Sequence, residues 1–116
     1  MSLKINDHGK TLDDETRQFT QRRFQFALSR FDSRISEAAV TVHQTNIPGK
    51  PIRHECRVSV DLKRATEVLV TENHTDFQKC IARAAERTGR AVGRAIERSW
   101  DSASPEPASL YAGTLI

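Results

Sequence analysis

The chain has 116 residues, 37% of them hydrophobic and 28% charged, with a formal net charge of +3. That length supports one modest core rather than two, and the composition excludes both a membrane-embedded and a wholly disordered chain. No stretch approaches the roughly twenty apolar residues of a membrane helix, and the opening MSLKINDHGK lacks the apolar run of a secretory signal.

The first expected element is a short strand, SLKIND, broken by Gly9. Thr11, with Asp14 three residues on, is the expected cap of a helix beginning near Leu12. At about 100° per residue, Leu12, Thr16, Phe19, Thr20, Phe24, Phe26, Ala27, Leu28 and Phe31 gather on one broad side. This predicts an amphipathic helix ending near Phe31. Asp13 and Asp14 supply the negative charge that a helix N-terminus favours.

From Ile35 the period changes. Ala38, Val40 and Val42 alternate with Ala39, Thr41 and His43, which predicts a half-buried strand. TNIPGKP is a turn by its glycine and prolines. IRHECRVSVDLK then returns as a second strand, with Ile52, Cys56, Val58, Val60 and Leu62 on its apolar side and Arg53, Glu55, Arg57, Ser59, Asp61 and Lys63 opposite. Past a turn near Arg64, TEVLVTE reads as a third antiparallel strand. The remaining pattern, NHTDFQKCIARAAERTGRAVGRAIERSW, predicts a long helix with cap candidates from Asn73 to Thr75 and an apolar stripe of Phe77, Ile81, Ala84, Thr88, Val92 and Ala95.

The order β-α-β-β-β-α implies a two-layer α+β domain, a four-stranded antiparallel or mixed sheet with both helices packed on one face. The domain is taken as residues 1–100. Residues 101–116, small, polar and proline-containing, are expected to form a flexible tail.

Thirteen of the eighteen basic residues are arginine, whose planar fork of donors suits phosphate. Asp101 and Glu106 both follow Trp100, so the first hundred residues carry +5. On the second helix Arg83, Arg87, Arg90, Arg94 and Arg98 fall within an arc of about 80°, away from the apolar stripe. They form a ridge roughly 22 Å long, enough to follow several phosphates. Glu86 relieves Arg90, yet (i, i+4) repulsion between arginine pairs still costs about a few tenths of a kcal/mol each. A ridge with that cost points to a polyanionic partner. On the first helix Arg23, Arg30 and Arg34 run near Phe19 and Phe26. Aromatics interleaved with arginine can stack on bases, but the plainer reading puts both rings in the core with the arginines reaching past them. Gly89 and Gly93, with Ala82 and Ala85, form a small-residue flank suited to close helix packing. GRAVG is not a nucleotide fingerprint.

Catalysis has no support in the pattern. His8, His43, His54 and His74 are scattered, Cys56 points inward on its strand, and Cys56 and Cys80 lack metal-ligand spacing, so neither a zinc site nor another cofactor is expected. No Ser/His/Asp or Cys/His arrangement is readable. Two unpaired cysteines fit a reduced, cytoplasmic setting.

The order of elements and the two basic helices resemble the hibernation-promoting factors and ribosome-associated inhibitors, also called the sigma-54 modulation family. The likeness covers roughly residues 3 to 98. LDDETRQFTQRRF looks like that family's first helix, LSRFDSRI like the segment closing it, and HTDFQKCIARAAERTGRAVGRAIER like its closing helix. The resemblance implies a non-enzymatic protein that binds the small ribosomal subunit and its RNA in the channel used by messenger and transfer RNA, silencing idle ribosomes during stress. It carries the family's basic sites onto Arg87, Arg90, Arg94 and Arg98, with Arg23 on the first helix; Arg83 joins them by geometry alone, and Arg30 through its line with Arg23. The chain departs from the pattern in its thin apolar stripe and in Gly89 and Gly93. It also lacks the second domain of the family's long members, so a short-form, monomeric factor is expected, with no membrane and no small-molecule substrate as partner. Two rival readings are a general double-stranded RNA module and a protein-interaction module using the exposed strand face of Arg53, Glu55 and Arg57.

Overall fold

The computed structural model describes residues 1–9 and 12–103, the side chains of 99–103 excepted. Strand β1 (Ser2–Asp7) leads to helix α1 (Asp14–Leu28), a 3-10 segment (Ser29–Arg34), strands β2 (Ile35–Thr45), β3 (Arg53–Leu62) and β4 (Val68–His74), and helix α2 (Phe77–Ala103). The two-layer α+β arrangement is as the pattern predicts. The sheet runs β1-β2-β3-β4 and is mixed, with β1 parallel to β2 and the other two pairings antiparallel. A parallel neighbour requires a crossover, and α1 supplies it.

Alternation in the strands becomes a division between two faces. Ala38, Val40 and Val42 of β2, Cys56, Val58, Val60 and Leu62 of β3, and Val68 and Val70 of β4 are all buried. The register sets Val40 beside Val58 and Val58 beside Val70, so one apolar row crosses the sheet. Onto it α2 lays Ile81, Ala84, Ala85, Val92 and Ala95, and α1 lays Phe24 and Leu28. Thr20 and Thr88, buried on the same side, donate their hydroxyls to the carbonyls of Thr16 and Ala84 one turn earlier, which satisfies them without a partner across the core.

The helix ends differ from the sequence expectation by a few residues. Asp13, not Thr11, caps α1, its carboxylate accepting from the Thr16 amide at 2.7 Å; Thr11 lies outside the described residues. This bond holds the Asp13 carboxyl below its ordinary value. At α2 the cap is Asp76, accepting from the Lys79 amide at 3.1 Å, rather than a residue from Asn73 to Thr75. β4 extends to His74 and absorbs two of those candidates, Asn73 and His74. The α-helical run of α1 stops at Leu28, and the chain reaches Phe31 and Arg34 in a tighter 3-10 turn. Helix α2 runs through Ala103; of the expected flexible tail, residues 101–116, those from 104 on lie outside the described residues.

The two helices approach closely where α2 has no side chain. A Cβ built at Gly89 would lie 3.2 Å from the Ala27 carbonyl oxygen of α1, and one at Gly93 would lie 3.4 Å from the Phe31 ring. The small-residue flank is therefore the contact with α1, at its tightest against backbone. Gly89→Leu is expected to force the helices apart and lower stability by about 1–3 kcal/mol. Gly93→Ala meets only ordinary contact distance and gains helix propensity, so it should raise stability by up to about 1 kcal/mol. Urea denaturation of the two variants checks the contrast.

Candidate nucleic-acid interface

With Gly89 and Gly93 turned toward α1, the opposite flank of α2 faces the β4 edge, and the arginines stand on the crest between. Arg83, Arg87, Arg90, Arg94 and Arg98 are all exposed. They do not share one environment. Arg83 and Arg90 lean toward α1 and line an open groove with Arg23 and Arg30, over a floor that includes Ala27, Ala85 and Gly89; its volume is about 620 Å3. The arginine line on α1 and the crest on α2 thus join into one basic surface, which neither helix shows alone.

Charge compensation inside the groove is partial. Arg90 pairs with Glu86 at 3.1 Å across one turn of α2. Among the described residues no carboxylate lies within ion-pairing distance of Arg23, Arg83 or Arg94. Arg30 sits over the Phe31 ring, its guanidinium carbon 4.8 Å from the ring centre, and Phe31 in turn packs into the space left by Gly93. Gly93 thus lies against the ring that carries Arg30, and Gly89 brings the floor of the groove up against α1.

Arg87 does something else. Its Nη1 donates to the Thr71 carbonyl at 2.9 Å and to the Glu72 carboxylate at 3.2 Å, which ties α2 to the exposed edge of β4. Position explains it: Arg87 is two residues from Gly89 and so about 200° round the helix from the α1 contact. Arg94 and Arg98 stand further along the crest, outside the groove. Arg34 closes the 3-10 segment, where its carbonyl accepts from the Lys63 amide at 2.8 Å, and does not line the groove.

One aromatic also departs from expectation. Phe19 is half-buried and packs against the core, in line with the plainer reading. Phe26 is 84% exposed and lines the groove beside Arg23 and Arg30. It lies two residues from the fully buried Phe24, hence about 200° away around α1, and the apolar side expected from the sequence is too broad in including it.

The rest of the surface offers less. On the open face of the sheet the charges pair with one another, Lys4 with Glu37 at 3.1 Å and Arg57 with Glu55 at 3.2 Å. His8 and His43 meet edge to face on that side, 6.3 Å apart. Cys56 and Cys80 are buried, unbridged thiols; burial pushes Cys56 up to about 12 and Cys80 to about 11, so both stay protonated and inert near neutrality. Among the described residues no group of three or more His, Cys, Asp or Glu is placed to hold a metal ion, and no helix is long and apolar enough to cross a membrane.

The four-stranded sheet with two helices on one face defines a two-layer α+β domain. The family model described as sigma 54 modulation protein / S30EA ribosomal protein matches residues 3–99, and the chain belongs to that family. Membership makes it a ribosome-associated protein and not an enzyme. Among solved structures it is similar to the N-terminal domain of Protein Y from Thermus thermophilus, with a TM-score of 0.62 at 23% identity, covering 81% of this chain and 98% of that one. It is also similar to a ribosomal subunit interface protein from Coxiella burnetii, with a TM-score of 0.68 at 12% identity, covering 84% and 99%. At those identities the likeness is one of fold. No curated protein sequence matches the chain.

The split among the arginines has a measurable consequence. Glu72 is only 17% exposed, and Arg87→Ala leaves it without that partner, so this variant should lose about 0.5–1.5 kcal/mol of stability. Arg83→Ala breaks no ion pair and should stay within about 0.5 kcal/mol of the parent. Thermal unfolding of both variants in one buffer distinguishes them.

Proposed function

We propose that the protein binds the RNA of the small ribosomal subunit through the α1–α2 groove and the crest of α2, and holds idle ribosomes out of translation by filling phosphate-lined space. The observation that carries this reading is the convergence of Arg23 of α1, Arg30 of the 3-10 segment, and Arg83 and Arg90 of α2 on one groove. A guanidinium presents paired donors to phosphate oxygens and never loses its charge. The open sheet face, where Lys4 pairs with Glu37 and Arg57 with Glu55, gathers no comparable cluster of arginines.

Affinity then comes mainly from releasing counterions condensed on the RNA, and placement from the fit of a rigid two-helix surface to a cleft of fixed shape. Arg94 and Arg98 extend the interface along the crest. Arg87 contributes charge while holding α2 to β4, so its replacement acts on stability as well as on binding. The protein works in the cytoplasm, as a monomer, with no small-molecule substrate and no chemical step.

Sedimentation with purified small subunits tests the reading. The protein should pellet with them at low salt and be released as salt rises. The double variant Arg83→Glu, Arg90→Glu should weaken binding and flatten the plot of log affinity against log salt by about 0.7–0.9 for each phosphate that is no longer neutralised. Undiminished co-sedimentation of a folded double variant would falsify the assignment of the groove, and failure of the parent to pellet at low salt would overturn the function itself.

A further inference from the structure

Phe26 stands in the groove without a structural reason to be there. Among the described residues it is the most exposed of the large hydrophobic side chains, at 84%, while its neighbours Phe24 and Leu28 are fully buried and fix the last turn of α1 beneath it. Ile47 and Ile52 flank the β2–β3 turn, and Leu69 lies on the open sheet face; only Phe26 is set among cations, with Arg23, Arg30, Arg83 and Arg90 lining the same groove. The groove's volume of about 620 Å3 is that of a ligand cleft.

We propose that Phe26 is a stacking platform for an unpaired base of the bound RNA, with the surrounding arginines on the phosphates either side of it; the inference rests on the reading that the partner is RNA. Every base has a π face that an aromatic ring can cover, and stacking of this kind tolerates any sequence. Inside a duplex those faces are already covered by neighbouring base pairs, so a ring at this position selects RNA with a splayed or single-stranded nucleotide over plain duplex. A protein partner fits the groove less well. An apolar anchor seated on Phe26 would desolvate guanidinium groups and leave them unpaired, at high cost, whereas a nucleotide brings the ring face and the negative charge together. The platform is rigid, since the buried Phe24 and Leu28 hold this turn of α1 and Gly89 allows α1 to seat directly on α2.

The stacking contribution separates from the electrostatic one by its indifference to salt. Binding would be measured by fluorescence anisotropy with a labelled single-stranded RNA of about 12 nucleotides and with a duplex of the same length. The proteins compared are the parent, Phe26→Ala, Phe26→Trp and the Arg83→Glu, Arg90→Glu double variant, each checked for an unchanged melting temperature. Phe26→Ala should weaken single-strand binding by about 5- to 100-fold with an unchanged salt slope, and duplex binding by less than about twofold. Phe26→Trp should restore it. Single-strand affinity for Phe26→Ala within about twofold of the parent overturns the platform. If the arginine double variant is weakened at the same time, the RNA reading stands and only the platform falls; if it is not, or if the parent binds no RNA, both fall. Equal weakening on single strand and duplex also overturns the platform, because a base-stacking residue must tell them apart.

Discussion

The contact on which the rest of this molecule depends is the seat of α1 on α2 at Gly89. There the Ala27 carbonyl comes so near that even a methyl group would crowd it. Helices carrying ordinary side chains pack with axes about 8–10 Å apart, and small residues are what permit the near end of that range. The close approach brings Arg23 of α1 and Arg30 of the 3-10 segment that follows it opposite Arg83 and Arg90 of α2. Like charges gathered this way repel, and among the described residues only one of the four has a carboxylate partner, Arg90 with Glu86. Apolar burial beneath them offsets that repulsion: Phe24, Leu28, Ile81, Ala84 and Val92 are all at or near zero exposure.

The sheet makes this arrangement one-sided. Its inner face is a continuous apolar row that fixes both helices on the same side, and on its outer face Lys4 and Arg57 are paired with Glu37 and Glu55. Field strength at a surface depends on the sum of nearby charges rather than on their number, so an overall charge of only +3 becomes a concentrated positive potential over the helices.

Much of this is legible in the sequence, for reasons tied to period. Strand β2 from Ala38 on and strand β3 from Cys56 on alternate, so Val40, Val42, Val58 and Val60 declare their common face, and the α2 stripe from Ile81 to Ala95 keeps its period through two glycines. Caps are less legible because several acceptable residues stand in a row: Thr11, Asp13 and Asp14 before α1, and Asn73, Thr75 and Asp76 before α2. Which one closes the helix depends on where the preceding strand releases the chain, a tertiary matter. Phe26 escapes a reading that counts apolar character as burial, although its angle from Phe24 already sets it apart. The parting of Arg87 from Arg83 and Arg90 is also there to be read. The flank of Ala82, Ala85, Gly89 and Gly93 marks the side where another helix must lie, and a residue about 200° from Gly89 has to face the sheet edge instead.

The two glycines, which cost α2 about 1 kcal/mol each in propensity, therefore have distinct reasons. Gly89 sets the depth of the groove. Gly93 accepts the Phe31 ring, and that ring holds Arg30 at 4.8 Å by attraction between its face and the guanidinium. An arginine already held loses less conformational freedom when a phosphate arrives than one waving in solvent, so a larger share of its electrostatic attraction appears as affinity. Phe31 thus links the packing of the helix interface to the placement of Arg30. The same logic accounts for arginine where lysine would supply equal charge, because only a planar cation can rest on a ring and keep its donors turned outward.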